Sequence, residues 1–286
     1  MAAETQMRRS GIGRNWRGHV LGAAYGRAVA LSLLATAGLA GLAAYSSQQV
    51  VTTGAILLFA REQWLFWLAG ALLAVTTGVL VARFATRHQS AGASLPTMPL
   101  LPAATAFSGV LLVSIYHDQT ILIAAPALIG LALLLELIAR YHLDDPLGRV
   151  RRLARTAHVL LTHGVAFLAL AAIYLNKVRS LLSATTVALL ACLLLLQIAD
   201  GERFPAERRL IYALAGGVIL GEITWALNYW PLTGWTGGAL LLIAFYLLAG
   251  LILAQVREGL RRRDLLEYGL SSAIMFALVV IKMIAV

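Results

Sequence analysis

Long apolar runs, separated by short links that carry arginine, constrain this chain more than any other feature of its sequence. A helical run of about twenty residues, rising 1.5 Å per residue, crosses the ~30 Å of hydrocarbon in a bilayer. Backbone amides and carbonyls find no water in lipid, so such runs must close their hydrogen bonds internally as helices. Hydrophobic residues make up 60% of the 286 and charged residues 13%, too little charge to cover a water-soluble domain of this length. The expected fold is therefore all-α, a polytopic transmembrane helical bundle.

Nine spans are expected, near 26–45, 64–84, 98–116, 120–139, 157–175, 181–199, 210–229, 236–256 and 266–286. Pro96, Pro99 and Pro102 suit the start of the third, and Pro126 is expected to kink the fourth. The apolar stretch VVTTGAILLFA is too short to cross, so 46–63 reads as an outer interfacial or re-entrant segment. A count of eight or ten spans would follow from a different reading of that segment or of the turn at His117–Gln119. Residues 1–19 are basic and lack the short apolar core and cleavage site of a signal peptide. They read as a retained cytoplasmic tail, with 20–286 forming a single transmembrane domain.

Charge predicts orientation. With the N-terminus inside, the tail contributes Arg8, Arg9, Arg14 and Arg17 to the cytoplasmic side. Inner loops add Arg83, Arg87, Arg140, Arg149, Arg151, Arg152, Arg155, Arg203, Arg208, Arg209, Arg257, Arg261, Arg262 and Arg263. Only Arg61, Lys177, Arg179 and Lys282 fall outside, so eighteen cations face four. This positive-inside bias requires an odd span count and places the C-terminus outside. Trp64, Trp67, Tyr229, Trp230 and Trp235 mark outer boundaries. The formal charge of +10 thus belongs to topology and head groups, and no nucleic acid is implied. A plasma (inner) membrane suits the short, arginine-rich loops.

An ionisable side chain inside a span is costly, so each one is a candidate site. Glu222 lies deep in the seventh run, with Trp225 and Tyr229 on the same helical face and Asn228 beside it. These four are the primary candidates, as one wall of a polar cavity. The competing reading makes Glu222 a protonated or hydrogen-bonded aid to bundle assembly. Glu136 and Arg140 are i,i+4 partners, and an antiparallel fifth span would bring Glu136 level with His158–Thr162. A salt bridge near the head groups is the favoured account of that pair; Glu136, Arg140 and His163 remain secondary candidates. Lys282 reads as snorkelling to the surface, and His117–Asp118 as a solvated turn. Gly22/Gly26 and Gly217/Gly221 have the GxxxG spacing that permits close helix approach.

No phosphate loop, HExxH, CxxC or GxSxG occurs, no set of metal ligands is evident, and no cofactor is expected. Glu136 and Arg140 share the ExxxR spacing of intramembrane CAAX-type proteases, but Leu135 stands where those have a second glutamate. No histidine follows His163, so that resemblance fails. The stretch from Gly221 to Gly269 resembles the C-terminal part of an uncharacterised bacterial multi-pass membrane family. It does so through Glu222, Trp225, Asn228, Pro231, Tyr246, Glu267 and Tyr268. That resemblance implies a multi-pass fold and supplies no activity.

Three functions remain open. The first and favoured is a non-catalytic subunit or scaffold, whose partners are the bilayer and other membrane subunits or further copies of this chain. The second is a transporter of a small solute, lipid or proton through Glu222. The third is an intramembrane enzyme on a lipid-linked substrate, with Glu136 and His163 as acid–base groups.

Overall fold

The computed structural model describes residues 12–48, 64–85, 99–116, 118–143, 150–175, 180–199, 205–230, 232, 234–257 and 259–284. Residues 1–11 of the expected tail and 49–63 of the short apolar segment lie outside the described residues. The described chain forms α1 (Ile12–Gln48), α2 (Trp64–Ala85), α3 (Leu100–Ile115), α4 (Gln119–Leu143) and α5 (Arg151–Leu175). It continues as α6 (Ser180–Ile198), α7 (Ala206–Asn228), α8 (Gly234–Arg257) and α9 (Arg262–Ile284). Eight of these are long and apolar enough to cross a membrane, and α3, with 16 residues, is the short one. This is the expected all-α bundle. The first helix reaches back to Ile12, into the segment expected as tail, and α4 runs continuously through Pro126.

Each helix packs on the next in sequence, so the chain runs up and down. Contacts between distant residues fix which ends meet. Tyr25, early in α1, hydrogen-bonds His142 at the end of α4 (2.8 Å), while Ser46 near the other end of α1 reaches Val113 O late in α3 (3.5 Å). The Tyr174 hydroxyl donates to Leu227 O (2.8 Å), joining the ends of α5 and α7. Tyr116, just past α3, stacks on Trp235 at the start of α8. The bundle thus has a basic end, carrying Arg83, Arg140, Arg151, Arg208, Arg257 and Arg262, and an aromatic end with Tyr229, Trp230 and Trp235.

Two four-helix groups meet at α3, which belongs to the first and packs on the second. In the first, α1 packs on α4 and α2 on α3, around a core of Leu39, Phe66, Val110, Val113, Ile129 and Leu133. In the second, α5 packs on α8 and α6 on α7, around Leu170, Leu194, Leu195, Leu220, Leu241 and Phe245. Leu101 and Leu111 of α3 join the second core, so this short helix contacts both groups. Pro99 caps α3 and Pro102 sits in its first turn, where backbone amides have no helical partner to lose. Since protein surrounds α3, bilayer thickness does not set its length. The last helix, α9, packs mainly on α8, and only 6% of its apolar window is buried.

Close packing rests on small residues, as it must where lipid is as apolar as leucine. A Cβ at Gly217 would come 2.5 Å from the Ala188 carbonyl oxygen, and one at Gly238 2.6 Å from the Ala171 Cα. The first lets α6 and α7 approach backbone to backbone; the second does the same for α5 and α8. The Gly217/Gly221 spacing therefore works inside the bundle. Gly22 and Gly26 face open space.

Candidate functional site

Polar side chains gather toward the basic end, on helices that converge there. On α3, Thr105 follows Leu101 by one turn and its hydroxyl lies 3.0 Å from the Leu101 carbonyl. The same hydroxyl hydrogen-bonds Glu136 of α4, which is 2% exposed. By helical rise Glu136 sits about 10 Å in from the end of α4, and His158 sits about 10 Å in from the start of α5. Across the next interface Gln197 Nε2 meets His158 Nε2 at 3.4 Å, and Thr162 donates to the His158 carbonyl at 2.8 Å. Because α3 packs on α4, α5 and α6, the Thr105–Glu136 and His158–Gln197 pairs form one layer. Arg209, one turn into α7, is also buried at this end.

The expected Glu136–Arg140 bridge is replaced by a contact between helices: the carboxyl engages Thr105 of α3, not the next turn of its own helix. Burial of that face of α4 against α3 puts a hydroxyl closer than a long, half-buried guanidinium. The second carboxyl oxygen, Oε2, is buried and has no hydrogen-bond partner among the described residues. His163 points elsewhere. Its Nδ1 bonds Val159 O at 2.8 Å, its ring meets Phe245 and Tyr246 of α8 edge-on, and its Nε2 is buried with no hydrogen-bond partner among the described residues. Glu136 is thus held against α3 and His163 against α8, and the structure does not bring them together as an acid–base pair.

The primary candidates lie on a different surface. Glu222 is exposed on α7, and so are Trp225 (55%) and Tyr229 (76%), whose rings lie 6.5 Å apart. Only Asn228 turns inward, donating to Ser183 of α6 at 2.8 Å. The cavity wall expected of these residues is therefore an outer face. The reason is packing: Gly217 and Gly221 seat the opposite side of α7 on α6, which turns Glu222 outward. Among the described residues no side chain hydrogen-bonds or ion-pairs with Glu222. Its Cα lies about 10 Å short of Tyr229 along the helix, more than a glutamate side chain spans.

The layer's other members show why sequence passes over them. Thr105, Thr162 and Gln197 are uncharged, and Arg209 reads as one loop arginine among many. The available signal is spacing, since His158 and Thr162 share a face at i,i+4 and Thr105 and Ser108 share one at i,i+3. The turn residue Asp118 caps α4 by accepting from the Thr120 amide (3.1 Å), as a solvated turn does. Among the described residues no three His, Cys, Asp or Glu side chains gather as a metal site requires.

Eight helices among the described residues that are long and apolar enough to span, in a bundle held by small residues, define a multi-pass integral membrane protein. Residues 46–282 match a family described as a protein of unknown function (DUF5656), and the chain belongs to that family. No curated protein and no solved structure matches it.

Proposed function

We propose that this protein is a non-catalytic subunit of a membrane assembly, docked to another membrane chain through the outer face of α7. One observation carries the reading: Glu222 lies exposed on an apolar face, at a depth lipid alone serves badly, with no partner among the described residues. Neighbouring exposed residues are Val218, Ile219 and Trp225, so the carboxyl sits within a face suited to helix packing. A facing helix that presents a hydrogen-bond donor would satisfy it, and such bonds between helices contribute about 0.6–1.7 kcal/mol in membranes. The excess of arginine at one end supports a plasma (inner) membrane setting with that end and the N-terminus inside, and the C-terminus outside.

The test is purification of tagged protein from its native membrane in mild detergent, followed by intact-complex mass analysis. A partner at fixed stoichiometry, weakened about threefold to twentyfold by Glu222→Leu, is expected. A bare monomer from the native membrane would end the proposal. The buried layer around Glu136 favours a second reading, in which proton or solute movement accompanies the structural role; that reading predicts flux in liposomes sensitive to Glu136→Gln and indifferent to Glu222→Gln.

A further inference from the structure

We infer that Glu136 and Thr105 form a proton-binding site at the joint between α3 and α4. The argument turns on one hydrogen atom. The Thr105 hydroxyl has one proton to donate, yet it lies within bonding distance of the Leu101 carbonyl oxygen and of Glu136 Oε1. A single O–H can be well aligned with only one of them at a time. With Glu136 ionised, Thr105 donates to the carboxylate and the Leu101 carbonyl loses its bond to the hydroxyl. With a proton on Glu136, the carboxyl donates to Thr105 Oγ1, and Thr105 donates to Leu101, so the chain of donors and acceptors closes.

Binding one proton therefore forms one O–H bond on the carboxyl, rotates one hydroxyl and reverses one hydrogen bond. No other reactant is needed. Glu136 is 2% exposed and its Oε2 has no hydrogen-bond partner among the described residues, so a carboxyl atom aimed into protein remains available as well. The elements packed on α4 are α1, α3 and α5. Described α3 carries no titratable side chain; among its described side chains α1 contributes Tyr25, which is engaged with His142, together with Arg27 and, toward the opposite end, Tyr45. From α5 come His158 at the same depth, His163 directed to α8, and the exposed arginines at its start, while α4 itself adds Arg140, Tyr141 and His142. His158 is thus the titratable neighbour whose depth matches, and Gln197 holds it. Because α3 contacts both four-helix groups, proton occupancy here changes a bond at the element that joins them. The inference stands independently of what covers α7.

The experiment is infrared difference spectroscopy, acid minus alkaline, on the full chain in lipid vesicles. The wild type is expected to show a carboxylic-acid carbonyl band that Glu136→Gln removes. Thr105→Val keeps the carboxyl but takes away its hydroxyl partner, and is expected to retain the band at higher wavenumber. Superimposable spectra from wild type and Glu136→Gln would overturn the proposal. A Glu136→Gln protein that does not fold leaves Thr105→Val to decide: a shifted band supports the site, and an unmoved one refutes it.

Discussion

Glu136 and Glu222 are both acidic residues within apolar spans, and the bundle treats them in opposite ways. Glu136 is enclosed where α3 meets α4, with a hydroxyl on one oxygen and protein around the other. Glu222 stands on the outside of α7 beside Trp225, with no partner among the described residues. The difference teaches that depth in the membrane marks an ionisable residue as important and says nothing about what it serves. Direction separates the two: the fold encloses one carboxyl and turns the other to its outer face.

The largest expected effect sharpens the cause of this split, the close contact of α6 and α7. Gly217→Leu drives a side chain into the Ala188 backbone and is expected to cost at least about 3 kcal/mol, seen as a lower unfolding midpoint in detergent. An unchanged midpoint would mean that α6 does not set the facing of α7. Next comes the inward site. Thr105→Val strips a buried carboxyl of its hydrogen bond and is expected to cost about 1–3 kcal/mol. The double variant Glu136→Leu with Thr105→Val should be less destabilised than the sum of its singles, which a double-mutant cycle measures.

The outward residue should behave differently. Glu222→Leu is expected to leave the unfolding midpoint of the isolated chain within about 0.5 kcal/mol of wild type while weakening recovery of a partner about threefold to twentyfold. A large loss of stability in the monomer would show that Glu222 serves the fold after all. The smallest effect belongs to Gly22→Ala, whose new methyl meets nothing within 4 Å; a change within about 0.5 kcal/mol is expected by the same melt.

Helix positions are legible in the sequence because bilayer thickness and backbone hydrogen bonding leave little freedom. The start of α3 at Pro99 and the boundary near Trp64 follow from local chemistry that any reading of the chain exposes. Facing is hidden for an equally physical reason. In water a buried face is apolar and an exposed one polar, but in lipid both are apolar. Leu34 is exposed and Leu39 buried on the same helix, and nothing in their chemistry tells them apart. The same loss of contrast puts Glu222 on a presumed cavity wall and leaves Arg209 among the loop charges. Only small residues retain directional information, because they mark where backbones approach. Gly217 and Gly221 therefore indicated that α7 has a tightly packed side, without indicating that Glu222 lies opposite to it.

The most direct test of the central claim is intact-complex mass analysis of wild type and Glu222→Leu, each extracted in mild detergent from the native membrane. The account predicts a stoichiometric partner chain on the wild type, depleted in the variant, with both proteins equally well folded. A wild type recovered as a monomer carrying only lipid would contradict it.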